Sequence, residues 1–238
     1  MWNGAASASS SAAGAGMTDA AGIRAYSAYP PCGSAAGPMT RSPGAKPDAS
    51  GPASTTSPHS SAPGVNGSGA VQLGKAAGAR VIGVVGGPEK AAVARELGCD
   101  VVVDRYSEDF VAVVKEVTDG RGADVVYDSV GGESFRRSTK CIAFEGRIVI
   151  VGFASGDIPS AALNHALVKN YSILGLHWGL YVRLDPDAVR TVHAELTRLA
   201  DAGAIRTLIS ERLTLSDVPD GLTRLAAGTT TGKLVFIP

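Results

Sequence analysis

Between Val71 and Gly98 the chain alternates apolar and polar positions with two different periods. Val71, Leu73 and the following alanines predict a small-residue helix that stops at Gly78. Arg80-Val81-Ile82-Gly83-Val84-Val85 is almost wholly apolar, as a strand covered on both faces must be. Pro88 and Glu89 open a second helix that buries Val93, Ala94 and Leu97 and closes at Gly98. The alternation continues down the chain. Val101 to Val103 is a further strand, and the next helix, capped by Ser107, carries Phe110, Val113, Val114 and Val117 on one stripe. Ala123 to Asp128, Arg147 to Val151 and Tyr171 to Leu176 read as the later strands, with a helix to about Ala143 and a short one from Ala161 to Val168. Pro186 opens a long helix on Val189, Val192, Leu196 and Leu199. Leu208 to Leu215, a helix capped by Ser216, and Lys233 to Ile237 form a strand–helix–strand appendage. Strands alternating with helices imply an α/β fold of the Rossmann type, a doubly wound parallel sheet.

Residues 1–63 break this pattern. They contain no Leu, Val, Phe or Glu, and Ile23 is their only aliphatic β-branched residue. Such a segment cannot bury enough apolar surface to offset an ordering entropy of roughly 1–2 kcal/mol per residue, so it is expected to be a disordered low-complexity tail. Its composition is also that of a GC-rich coding region translated out of frame. The expected division is therefore tail 1–63, nucleotide-binding domain 64–206 and appendage 207–238. Where the first strand of the sheet belongs, the chain reads Ser54-Thr55-Thr56-Ser57-Pro58-His59. Proline and the absence of Val, Ile and Leu argue against a central strand, so the sheet is expected to lack its first strand; the alternative is a poor strand conscripted from residues 52–60.

Charge narrows the function classes. Lys plus Arg and Asp plus Glu both number 22, so no global field favours nucleic acid or a membrane surface. There is no twenty-residue apolar span and no secretory leader pattern, and Cys32, Cys99 and Cys141 share no ligand spacing. A cytoplasmic chain with no metal site is the expectation. His193, on a periodic helix, is read as packing or surface rather than ligand. No nucleophile, acid–base pair or metal constellation appears, and Asp128, at a strand end, is read as capping a turn rather than as a catalytic carboxylate.

The segments AVQLGKAAGARVIGVVGGPEKAAVARELG, RGADVVYDSVGGESF, GRIVIVGFASGDIP, LVKNYSILGLHWGLY and TTGKLVFIP stand in a fixed order over roughly 170 residues. In this the chain resembles the C-terminal part of the medium-chain dehydrogenase/reductases, and among them the zinc-free, zeta-crystallin-like quinone oxidoreductases. The resemblance implies NADPH as cofactor and hydride transfer to a small acceptor, a quinone or a conjugated carbonyl. It also implies a substrate domain that residues 1–63 have no composition to form, so the chain is expected to be truncated. A catalytically inactive NADP-binding or dimerising remnant is the alternative, and an enoyl reductase is the alternative among enzymes.

The resemblance also carries site residues. Gly64 and Gly67 match the last two glycines of the pyrophosphate turn, with Ser61 where the first would stand; a flexible linker is the competing reading. An NAD-specific site needs an acid where Gly86-Gly87 stand here, and Lys90 follows. Loss of the acid and gain of a cation suit the 2′-phosphate of NADPH, with Arg105 and Tyr106 after the third strand as further partners. The bland alternative for Lys90 is a solvated lysine at a helix start. Ser129 and Val130 match the loop beneath the ribose, as do Gly152, Phe153 and Ala154 beneath the nicotinamide, and His177 and Trp178 match the loop over its edge. Family members dimerise through the strand matching Tyr171 to Leu176, so a homodimer is expected; the competing reading is an edge covered by the loop from His177 to Asp185.

Overall fold

The computed structural model describes the backbone of residues 53–57 and 65–238, with side chains from Gly67 onward. Six parallel strands form one sheet in the order β3-β2-β1-β4-β5-β6. They are β1 (Ala53–Ser57), β2 (Arg80–Val85), β3 (Val101–Asp104), β4 (Ala123–Asp128), β5 (Ile142–Ile150) and β6 (Ser172–Gly175). Helices α1 (Val65–Ala76), α2 (Pro88–Glu96), α3 (Phe110–Val117), α4 (Gly132–Cys141) and α5 (Leu163–Lys169) make the crossovers. This is the doubly wound order, with the first strand in the middle.

That order corrects the expectation of a missing first strand. Ala53, Ser54, Thr55 and Thr56 pair with Arg80, Val81, Ile82 and Gly83, while Ser54 to Ser57 pair with Val125, Val126, Tyr127 and Asp128. The reason lies in the neighbours. Left alone, β2 and β4 would each present a row of buried N–H and C=O groups, at around 1–3 kcal/mol for each unpaired group. Any extended segment that closes both ladders relieves that cost, and the two threonines are β-branched. The expectation of a disordered tail fails at these five residues, and elsewhere it falls on residues outside those described.

Alternation along β2 divides the core. Ile82 and Val84 point into the main cluster with Val103, Phe110, Val114, Val126, Phe135 and Ile148, while Val81 packs with Val71 and Ala79 and Val85 with Ala91 and Ala94. α3 and α4 contribute to the first cluster, α1 and α2 to the other two, so both faces of the sheet are covered. The cap of α3 is Asp109, whose carboxylate accepts from the Val111 N–H, and not Ser107. The Ser107 hydroxyl is turned back to the Asp104 carbonyl.

Beyond β6 come α6 (Trp178–Leu184) and α7 (Pro186–Asp201), neither of which buries a residue fully. His193 lies exposed on α7. The appendage is a separate two-stranded parallel sheet, β7 (Ile209–Thr214) and β8 (Lys233–Ile237), joined through α8 (Val218–Ala226). A reciprocal Thr214–Asp217 capping box precedes α8, in place of a Ser216 cap. Gln72 anchors the chain entering this unit: its side chain accepts from the Arg206 N–H at 2.8 Å and donates to the Arg206 carbonyl at 3.1 Å. No helix among the described residues is long and apolar enough to cross a membrane.

Candidate functional site

In an open parallel sheet the crevice lies beyond the carboxyl ends of the strands, where the strand order reverses. Here the reversal is between β1 and β4, and the loops after β2, β3, β4, β5 and β6 gather along that edge.

After β2 the chain turns at Gly86-Gly87, and Gly87 takes φ 88° as it enters α2, a left-handed value that favours glycine. The turn is held by a carboxylate that sequence reading passed over. Asp104 Oδ1 accepts from the Gly87 N–H at 3.0 Å and from the Tyr106 N–H at 3.1 Å. The β2–β3 register, which sets Val85 beside Asp104, brings the two turns together. These two N–H groups hold the Asp104 carboxyl below its ordinary value. Because the folded-state value is the lower one, the stabilisation is present above the ordinary aspartate value and is lost as the pH falls through the lowered one. Acidification across that window should release the Gly87 N–H. Amide exchange at Gly87 is expected to quicken there relative to Ile82; parallel behaviour of the two amides would show that the bond does not hold the turn.

The Arg105 guanidinium lies flat over Gly86. A Cβ added at Gly86 would meet it at 2.5–2.6 Å, so a larger residue there would turn the guanidinium aside. Arg105 Nη2 donates to the Tyr106 hydroxyl at 2.8 Å, and its guanidinium carbon sits 4.5 Å from the Tyr106 ring centroid. Lys90, on the first turn of α2, donates to the Gly228 carbonyl at 2.6 Å, tying α2 to the segment after α8. Burial pushes the Lys90 ammonium below its ordinary value, and the nearby Arg105 charge acts in the same direction. Two cations therefore stand close together at the end of β2. Glu89, beside Lys90 in the first turn of α2, acts on it in the opposite direction, and the side chain of Asp104 is engaged by backbone N–H groups.

Asp128 ends β4 fully buried. Its Oδ1 accepts from the Val130 N–H at 2.9 Å and the Gly131 N–H at 3.0 Å, the turn-capping arrangement that its position suggests. Its Oδ2 is buried with no partner among the described residues, at the level where Ser57 ends β1. The loops after β4 and β5 are laced together: the Ala154 N–H donates to the Ser129 carbonyl at 3.1 Å, and the Ser155 N–H and hydroxyl donate to the Val130 carbonyl at 3.1 and 2.8 Å. Gly152 passes close enough that a Cβ would lie 3.4 Å from the Ser129 carbonyl oxygen, and Gly131, at φ 72°, packs against Phe153. The Leu176 N–H continues the ladder to the Ile150 carbonyl at 2.9 Å, which delivers His177 and Trp178 to the same edge. Trp178 stacks on Tyr181, centroids 5.5 Å apart.

Of the residues singled out in the sequence, Gly87, Lys90, Arg105 and Tyr106 thus meet at the ends of β2 and β3. Ser129, Val130, Gly152, Phe153 and Ala154 meet at the ends of β4 and β5, with His177 and Trp178 following β6. Gly67 is buried inside α1, which begins at Val65, so it lies within the helix rather than in a turn before it. Gly64 lies outside the described residues. Among those residues no group of three or more His, Cys, Asp or Glu could hold a metal. Cys99 and Cys141 are free thiols that burial pushes up to about 11.

A sheet in this order, with glycine-lined loops at its carboxyl edge, is the Rossmann-type architecture. Comparison with known proteins makes the assignment narrower. Residues 66–198 match the family described as zinc-binding dehydrogenase. A quinone oxidoreductase-like protein 2 homolog of Nematostella vectensis is 38% identical over 67% of this chain and 44% of its own length. The quinone oxidoreductase of Pseudomonas aeruginosa is 36% identical over 71% of this chain and 52% of its own. Among solved structures, the Escherichia coli quinone oxidoreductase complexed with NADPH covers 79% of this chain and 57% of its own, at TM-score 0.69 and 29% identity. The chain belongs to the medium-chain dehydrogenase/reductase superfamily, in its quinone oxidoreductase-like branch. It spans about half the length of the curated relatives it matches.

Proposed function

We propose that this chain is the NADPH-binding part of an oxidoreductase that reduces a quinone or a conjugated carbonyl. The observation that carries the reading is the pair of cations, Lys90 and Arg105, at the end of β2, where an NAD-specific site needs an acid. Lys90 would exchange the Gly228 carbonyl for the 2′-phosphate, and Arg105, always charged and fork-shaped, would take it from the other side of Gly86. Ser129, Val130, Gly152, Phe153 and Ala154 would line the path of the ribose and nicotinamide, with His177 and Trp178 over its edge; Gly64 would serve the pyrophosphate. NADPH supplies the hydride when bound, and the protein's part is to orient it and exclude water.

Domain boundaries at 64–206 and 207–238 suit this reading once β1 is added to the first. Titration of the purified chain with NADPH, followed by reduction of a quinone and of a 2-enoyl thioester, tests it. Binding with turnover of either acceptor supports an enzyme, and binding without turnover supports a nucleotide-binding remnant. A folded chain that binds no NADPH at millimolar concentration overturns the reading.

The same reading includes a homodimer formed edge to edge through β6. That strand ends the sheet, Leu174 is 38% exposed, and Val182 and Leu184 of α6 are 61% and 70% exposed. An open strand edge with exposed aliphatic side chains invites pairing with another chain. A proline at Leu174 removes the N–H that an incoming strand would need. Leu174→Pro is expected to sediment as a monomer where the unmodified chain is a dimer. A folded, monomeric unmodified chain would exclude the pairing.

A further inference from the structure

The opposite end of the sheet holds a cavity of about 310 Å³, lined by residues that no reading of the nucleotide site uses. It opens where α3, α4 and α5 end, and each contributes the lysine of its last turn: Lys115, Lys140 and Lys169. Arg121 adds a fourth cation, already paired with Asp124, and Phe144 stands at the wall, 68% exposed.

The bland account is that each lysine neutralises the carbonyl end of its own helix, and Lys169 does so in part. Its ammonium donates to the Thr139 carbonyl at 3.0 Å and the Lys140 carbonyl at 3.2 Å, at the end of α4. The charges do not balance, however. A helix end carries about half a negative charge, so three supply about −1.5 against three full positive charges. Among the described residues neither Lys115 nor Lys140 lies in an ion pair. Glu116, Asp119 and Glu145 do not line the cavity, and Glu133, whose charge is coupled to Lys140, is already paired with Arg136. Burial lowers the Lys169 value, and the Lys115 charge lowers it further.

Left-handed turns shape the walls, two of them at the ends of α3 and α5. Three non-glycine residues take left-handed φ among those described: Asp119 (52°), Glu145 (57°) and Asn170 (57°). Each adjoins a lining residue, respectively Gly120, Phe144 and Lys169. The Glu145 N–H donates to the Asn170 carbonyl at 2.7 Å, joining two of these turns. Gly122 runs so close to α4 that a Cβ would meet the Cys141 carbonyl at 2.6 Å.

We propose that this cavity binds a compact phosphate-bearing anion, with Lys115, Lys140 and Lys169 as its ligands and Phe144 as a hydrophobic rim. Phosphate is favoured over carboxylate by charge: a phosphate group brings close to two negative charges to a cluster of lysine point charges, of which Lys115 and Lys140 lie in no ion pair among the described residues and Lys169 is partly engaged by two carbonyls.

Calorimetric titration of the full chain with inorganic pyrophosphate, at low and fixed ionic strength, tests this. A Kd below about 1 mM is expected, with at least tenfold weakening in Lys115→Gln/Lys140→Gln and recovery in the double arginine variant. Citrate at the same ionic strength should bind several-fold more weakly. Arg105→Ala, altered in the proposed nucleotide site at the far end of the sheet, reads out any pyrophosphate held there: the affinity that Lys115→Gln/Lys140→Gln removes is expected to persist in it. Absence of binding, or binding that survives the double glutamine change, overturns the site. Loss in Arg105→Ala would place the anion at the other end of the sheet, and equal affinity for citrate would overturn the phosphate assignment.

Discussion

Thr55→Pro should abolish the cooperative unfolding transition of this chain, or shift it by several kcal/mol, whereas Thr55→Val should leave it intact. Thr55 is paired on one side with Ile82 and on the other with Val126, in the middle of a six-stranded sheet. Proline has no N–H to give the ladder and is found in sheets almost only at edges and bulges. The loss reaches both neighbours, because a displaced β1 leaves the facing groups of β2 and β4 buried without partners. At around 1–3 kcal/mol for each such group, a few suffice to exhaust a total stability of about 5–15 kcal/mol. Valine keeps the N–H, the β-branching and the backbone pairing. Urea denaturation of the two variants beside the unmodified chain decides the matter. Equal stability of all three would mean that residues 53–57 do not supply the central strand.

β1 is also where sequence reading and structure part most clearly. β2 and β3 were legible as strands because burial on both faces demands apolar residues, and RVIGVV and VVVD supply them. The helix stripe through Phe110 and Val114 was legible for the same reason, both residues being buried in the main cluster. The sequence ASTTS carries no such mark. Its place is set by two partner edges more than twenty residues away, and local composition holds no record of them. α6 was also missed: His177 to Asp185 was read as a loop from the resemblance, yet Trp178 to Leu184 is helical.

Site residues divide along the same line. The bends at Gly87 and Gly131 were legible because a left-handed turn after a strand leaves a glycine in the sequence. The seating of Arg105 on Gly86 and the Asp104 bond to Gly87 depend on β2 and β3 lying side by side, which spacing alone does not state. The Lys90 contact with Gly228 joins residues 138 apart. A Gly-Gly pair opposite Asp-Arg-Tyr could have signalled both turn contacts once the strand order was assumed.

Removing both cations at the end of β2 should cost far more NADPH than NADH affinity. Hydrogen bonds to a charged group are worth about 1.5–3 kcal/mol each, so one lost partner of the 2′-phosphate corresponds to roughly ten- to a hundredfold in Kd. Arg105→Ala is expected to reach that range alone, because the guanidinium is charged at every working pH and already fixed against Gly86 and Tyr106. Lys90→Ala should cost less. Its ammonium must first leave the Gly228 carbonyl, and burial already disfavours its charge. The double variant should lose most, but less than the product of the two single losses. Each cation raises the electrostatic cost of its neighbour in the free protein, so removing one relieves the other. NADH lacks the phosphate and should bind all three variants within about threefold of the unmodified chain. Fluorescence titration with both nucleotides gives the comparison directly. Parallel weakening of NADH and NADPH would assign these side chains to the turn's structure, and unchanged NADPH affinity in Arg105→Ala would remove the guanidinium from the phosphate site.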